Sequence, residues 1–451
     1  MSIQAFLNLG AEAFEDAPVV EEAPVVVVAP VPEEVIELIA ERDDSNIALA
    51  IAQDAAAMSA AERQVEEFAS AIERVENVQA SMEHFIEAGL SQKSAMMLHR
   101  QITTVMASVG KDGAAIGGGL ENFDNEEASI ALLTAGLEAL DAEKADLSSR
   151  AGASIAGIAG NIKSFLGNIS TQAGRYKLRA EAIVKSADGA EAKSGTVEVK
   201  DKHLVVKGGN PSTNLKGDLG NFSKLVGAAI ATFIEGDIVK EGSALAKAGE
   251  TIIKATTADV AVKAAMGVKH NPFPGATIAV QDKDTFSIKR TEVVLGGYAV
   301  FDLQYKATGG EGAEAAVAHL NALSKNRVTL RQAPVEAGSE KVFSATMSPA
   351  DGAALAKDVI AMLDNITAVN NRSLGAVSGA LARLGTSAVL KGAVAKDADK
   401  DVKKIAGAMG KTLVGSIQAV NSLPRDALSA ALKVSDAVLK VAKKAAAGQV
   451  D

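Results

Sequence analysis

The feature that most restricts the fold is a change of period along the chain. From Glu33 to Lys185 apolar residues recur at helical spacing, near Gly195 the period shifts from about 3.6 to about 2, and after Ser348-Pro349 helical spacing returns. The chain therefore reads as α+β and predominantly α-helical. A helical N-terminal region precedes a middle domain with an antiparallel sheet, and a helical C-terminal region follows.

Within Glu33 to Leu90, Ile47, Leu49, Ala50, Ile51, Val65, Phe68, Ile72 and Val75 mark amphipathic helices with a hairpin or coiled-coil packing face. Gly89 suits a helix C-cap, because glycine takes the left-handed conformation cheaply. Ser91 suits the N-cap of a following helix that carries Ala95, Met96, Met97, Ile102 and Val105. A Gly-rich hinge occupies 110–120. Glu127 to Lys144 and Gly152 to Lys185 read as two further helices, and the glycines at 152, 157, 160, 167 and 174 suit close helix crossings.

In the middle domain, TVEVK (196–200) and HLVVK (203–207) are predicted to form a hairpin through Asp201-Lys202. Further strands are expected in 276–282, 286–295, 298–306, 327–333 and 341–347. Helices are expected at Leu219 to Ile234, Ser243 to Ile253, Ala258 to Met266 and Gly312 to Leu323. Ala350 to Gly448 reads as helical, with breaks near Gly385, Gly410 and Pro424. The organisation that follows is an acidic leader (1–87), a helical region (88–189), an α+β domain (190–347) and a lysine-containing helical domain (348–451).

Charge divides the chain as sharply as period does. Residues 1–87 hold 19 acidic and 3 basic residues, a net of −16 against −10 for the whole, which leaves +6 on residues 88–451. Within the leader, prolines at 18, 24, 30 and 32 alternate with acids, so 11–32 is expected to be disordered or extended, and the helical pattern starts at Glu33. APVVVVAP (23–30) falls well short of the roughly 20 residues that cross a bilayer. No membrane partner is expected.

Few residues of the chain fall into a pattern that carries chemistry. The chain has no cysteine, so thiolate metal sites and disulfides are out. Its five histidines, His84, His99, His203, His270 and His319, have no zinc-ligand spacing. Gly407 to Thr412 ends like a phosphate loop but lacks the first glycine and the preceding strand. No cofactor, metal or catalytic residue is expected, and the protein is read as not an enzyme.

One cationic pattern stands out. Lys391, Lys396, Lys400, Lys403, Lys404, Lys433, Lys440, Lys443 and Lys444 are candidates for non-specific DNA contact, because 400, 403, 404 and 440, 443, 444 share a face at helical spacing. The same lysines could serve only to solubilise Ala-rich helices, pairing with Asp397, Asp399, Asp401 and Asp436.

The order of features resembles the internal head proteins of large tailed bacteriophages. The resemblance runs over about 1–185. It rests on the acidic leader, Ser81-Met82-Glu83, Gly89-Leu90-Ser91, Glu121-Asn122-Phe123, Ser129, Thr134, Leu137-Glu138 and Leu178-Arg179-Ala180. It implies a structural protein made in the host cytoplasm and packed with DNA in the capsid interior. Its partners would be the capsid or other inner head proteins and a prohead protease that removes a propeptide. A cut after a glutamate two residues beyond a small or aliphatic residue would fall at Glu83, Glu87 or Glu138. The other reading is an uncut helical scaffold or assembly protein that binds only protein.

Overall fold

A computed structural model describes residues 33–89, 91–108, 126–188, 190, 193–230, 239–334, 342–386, 394 and 398–447. The expected extended segment 11–32 and the glycine hinge at 110–120 lie outside these residues. The chain divides into two compact units, Met1–Ser45 and Asn46–Asp451.

Three helices open the described structure: α1 (Glu33–Ala88), α2 (Gln92–Ser108) and α3 (Glu126–Asp188). The α1–α2 corner forms as the sequence predicts. Gly89 has φ +88°, and Ser91 Oγ accepts from the Ser94 N–H at 3.2 Å, capping α2. Residues 126–188 form one uninterrupted helix rather than two. It runs antiparallel to α1, as the side-chain pairs record: Gln79 meets Asp141, Glu76 meets Lys144, Arg150 lies over Phe68, and Ser164 and Asn168 both donate to Asp54.

The middle of the chain continues with β1 (Gly195–Val199), α4 (Leu215–Gly227), α5 (Val239–Ile253), α6 (Ala258–Met266), β2 (Ile278–Asp282), β3 (Phe286–Arg290), β4 (Tyr298–Tyr305), α7 (Gly312–Leu323), β5 (Arg327–Gln332) and β6 (Phe343–Met347). Strands β2-β3-β4-β5 make an antiparallel sheet in that order. The expected hairpin after β1 does not form. Asp201 accepts from the His203 N–H at 2.9 Å and turns the chain into a 3-10 turn at Lys202–Leu204, while β1 pairs antiparallel with the distant β6, Gly195 opposite Met347 and Val199 opposite Phe343. In an Asp-Lys loop the lysine is ill suited to the positive φ that glycine usually supplies at the second position of a two-residue hairpin turn, and a capped 3-10 turn satisfies the backbone instead.

Two long helices close the chain, α8 (Pro349–Thr386) and α9 (Lys400–Ala446). The breaks expected at Gly410 and Pro424 do not occur, since α9 runs through both. A helix-interior proline costs about 3 kcal/mol. Around it Leu423, Ala427 and Leu428 are 0–1% exposed, and their burial offsets that loss. Helix makes up 74% of the described residues, and the class is predominantly α with a small antiparallel sheet in the middle.

The largest hydrophobic cluster extends from Met58 and Val65 on α1 through α3, the sheet and α8 to Ala446 on α9. A second cluster joins Val75 and Met82 of α1 to Leu98 and Ile102 of α2 and Leu140 of α3. The glycines of α3 do not serve close crossings: a methyl at Gly152, Gly157, Gly160, Gly167 or Gly174 would meet nothing within 4 Å. The close approaches lie elsewhere, at Gly352, where a methyl would come 2.7 Å from the Ala442 carbonyl oxygen, and at Gly415, where it would strike the carbonyl of Ser324.

Candidate processing sites and nucleic-acid interface

The lysines of interest belong to α9. Its first turn is capped by Asp399, whose carboxylate accepts from the Asp401 N–H at 2.8 Å. The two lysine triplets are 40 residues apart, about 60 Å along the axis at 1.5 Å per residue. Their settings differ. Lys443 and Lys444 lie in the last turn, where the helix dipole favours cations, whereas Lys400, Lys403 and Lys404 sit at the N-terminal end, where it opposes them.

Carboxylates offset that cost at the first triplet. Lys404 pairs with Asp401 at 3.3 Å, Lys403 with Glu83 of α1 at 3.6 Å, and Lys400 is exposed. About two turns on, Lys411 pairs with Glu73 at 2.6 Å, and farther still Arg425 donates to Ser59 Oγ at 3.0 Å. As α9 advances, its partners on α1 recede from 83 to 73 to 59, so the two helices are antiparallel. Glu62 and Glu66 continue the acidic edge of α1 and act on the buried guanidinium of Arg327, whose ordinary basicity is reduced by desolvation and partly restored by these two acids.

The second triplet is held by the body instead. Lys440 pairs with Asp436 at 2.7 Å and with Asp201 at 3.3 Å, and Lys444 donates to the Glu198 carbonyl at 2.9 Å. Burial lowers the Lys440 pKa, but hydrogen bonds to these two aspartates outweigh it and raise the value overall. Lys433 and Lys443 are exposed on the same stripe. Lys391 and Lys396 lie outside the described residues.

All three candidate processing glutamates are helical and exposed. Glu83 follows Met82, which is 0% exposed in the second cluster. Glu138 lies well inside α3, with Leu140 buried next to it. Glu87 is one residue from the end of α1, and Ile86 packs against the second cluster. A protease needs an extended strand, so opening is least costly at Glu87, where one helix end must fray rather than a helix middle melt.

Sequence reasoning missed the acidic edge of α1 and its cations Lys411, Arg425 and Arg327. The signal was present: Glu66 and Glu73, then Glu76 and Glu83, repeat at seven residues, which places them on one edge of a helix. It also missed two buried polar centres. His270 Nε2 lies 3.2 Å from Asp302 Oδ1, and Glu241 approaches the other ring nitrogen at 3.9 Å. Burial alone would lower the pKa of His270, but the hydrogen bond to Asp302 and the nearby Glu241 carboxylate raise it to about 9. His203 stacks on Tyr298 with 6.0 Å between ring centroids, and burial lowers its pKa while raising that of Tyr298 to about 12.

Among the described residues no group of three or more His, Cys, Asp or Glu could hold a metal ion, and no helix is long and apolar enough to cross a membrane. Fold and site together define a long-helical protein with charged surfaces that face one another within the chain. Comparison with protein families matches residues 45–444 to the phiKZ-like phage internal head proteins, and the chain belongs to that family. Its place is therefore the inside of the phage capsid. No curated protein and no solved structure matches it.

Proposed function

We propose that the protein is a non-enzymatic component packed with DNA inside the head, in which the acidic edge of α1 holds cations of α9 away from phosphate until a prohead protease cuts the leader. The observation that carries this reading is the antiparallel pairing of Glu83 with Lys403 and Glu73 with Lys411. Carboxylates there occupy the places that DNA phosphates would take. Cutting after Glu87 and releasing the leader turns a net charge of −10 into +6, and cutting after Glu138 with release turns it into +9. Either charge is modest for more than 300 residues, so contact would be weak and blind to sequence.

A second reading, an uncut assembly protein, also draws on an observation. Met58, Val65, Val75 and Met82 are 0–1% exposed, so the described part of α1 supplies core and a cut alone would not release it. N-terminal sequencing of protein from purified particles separates the two. Starts at residue 84, 88 or 139 with Met1 peptides confined to precursor heads support processing. Met1 or Ser2 peptides as abundant as body peptides would sink it.

A further inference from the structure

Between the C-terminal part of α1 and α2 lies an open groove of about 810 Å³. Its apolar part includes Val78, Met96 and Met97, and the two methionines are 49% and 56% exposed, although most large apolar side chains among the described residues are buried. Arg74, Lys93 and Arg100 supply its charge, and no acidic residue lines it. Methionines form adaptable apolar surfaces that accept varied side chains. The groove thus calls for a ligand that brings acids and small apolar side chains together.

The chain contains such a ligand. Residues 11–32, AEAFEDAPVVEEAPVVVVAPVP, combine five acids with a run of valines and no base. Its prolines favour an extended backbone, the form in which neighbouring side chains can reach both a cation and an apolar floor. Arg74 lies about 42 Å along α1 from Asn46 at 1.5 Å per residue, and the segment joins the chain well before Asn46. A second molecule supplies it without having to span that length. A nucleic-acid backbone would match the cations but would leave Met96 and Met97 without apolar partners.

We infer that this groove binds the acidic, valine-rich segment 11–32 of a second copy of the chain, linking molecules before processing. The inference rests on neither DNA contact nor the choice of cleavage site. Release of residues 1–87 would remove both the segment and the α1 wall of the groove, so the precursor and the chain freed of its leader would differ in association as well as in charge.

The test uses the full chain and a labelled synthetic peptide of residues 11–32. The peptide should bind dilute full-length protein, and R74E/K93E/R100E should weaken it by about tenfold or more. M96S/M97S should weaken it as well, because the apolar contact is part of recognition. In sedimentation, the full chain should associate as concentration rises, and excess peptide should return it to monomer. The inference is overturned if the charge-reversed protein binds the peptide as well as the parent, or if the chain stays monomeric throughout. A short DNA duplex that binds through these three cations while the peptide does not would overturn it too.

Discussion

The two ends of α9 carry the same lysine pattern and meet opposite surroundings. At the first, Lys403 faces Glu83 and nearby Lys411 faces Glu73, acids that a cut after Glu87 would sever from the rest of the chain. At the second, Lys440 and Lys444 are held by Asp201, Asp436 and the backbone of β1, all of which the processed chain keeps. Only the first end can change its charge balance through processing. The helix dipole adds to the difference, since cations are disfavoured at the first end and favoured at the second, leaving the first with the stronger need for anions.

The largest effect expected concerns what covers the first end. Starting the chain at residue 88 removes Met58, Val65, Val75 and Met82 from two cores, at about 2–5 kcal/mol for each large side chain. A chain made without residues 1–87 should lose its cooperative melt, whereas full-length protein nicked after Glu87 should elute with both pieces together. If the truncated chain melts as high as the parent, α1 is a dispensable cover, and the contrast between the ends is one of charge alone.

A pH series tests the second end next. His203, near Asp201 and Lys440, has a lowered pKa, so the unfolded chain takes up its proton first. Stability from this group is lost as pH falls below about 6.5, the unfolded value. His270 has the opposite sign: its pKa is raised to about 9, so its contribution is full below about 6.5 and is lost as pH rises through 9. Urea midpoints at several pH values should fall on both sides of neutrality. H203F should flatten the acid side and H270Q the alkaline side. A substitution that leaves its own side unchanged would show that the histidine titrates as in an unfolded chain.

Smaller again is the release of cations by E73Q/E83Q, which leaves α1 in place. If Lys403 and Lys411 then contact phosphate, the log–log salt dependence of DNA binding should steepen by about 0.9 for each. D201N/D436N at the second end should alter it less, because Lys444 keeps its backbone acceptor. Equal steepening by both pairs would erase the distinction between the ends. Smallest of all, K440A should shift stability by less than about 1 kcal/mol, as for a half-exposed ion pair. A larger loss in chemical denaturation would make Lys440 a structural clasp.

Most of the architecture was legible because period is a local property. The α1–α2 corner followed from Gly89 and Ser91, and α6 and α7 ran over the residues their spacing marked. Strand partners were not legible: nothing near TVEVK announces that its mate lies more than 140 residues later, and the adjacent HLVVK offered a false one. Pro424 and Gly410 misled because a breaker acts through local propensity, while burial on several sides of α9 is a tertiary effect. The lysine triplets could be read as faces, and so could their partners within α9, Asp401 and Asp436, but the partners on α1, on β1 and in the turn after it could not.

Two positions in α9's surroundings carry a consequence of another kind. At Gly415 and Gly352 the neighbouring carbonyls of Ser324 and Ala442 come so near that only a hydrogen fits. In a chain so rich in alanine, most interior sites differ from their alternatives by a methyl group or two, and one such exchange can be absorbed by a small shift. At these two sites the obstacle is backbone, which cannot turn aside as a side chain can. The spelling of this fold is therefore tolerant almost everywhere and strict where it is smallest, and a distant sequence sharing the same closing helix should be sought by the places where it can hold no side chain at all.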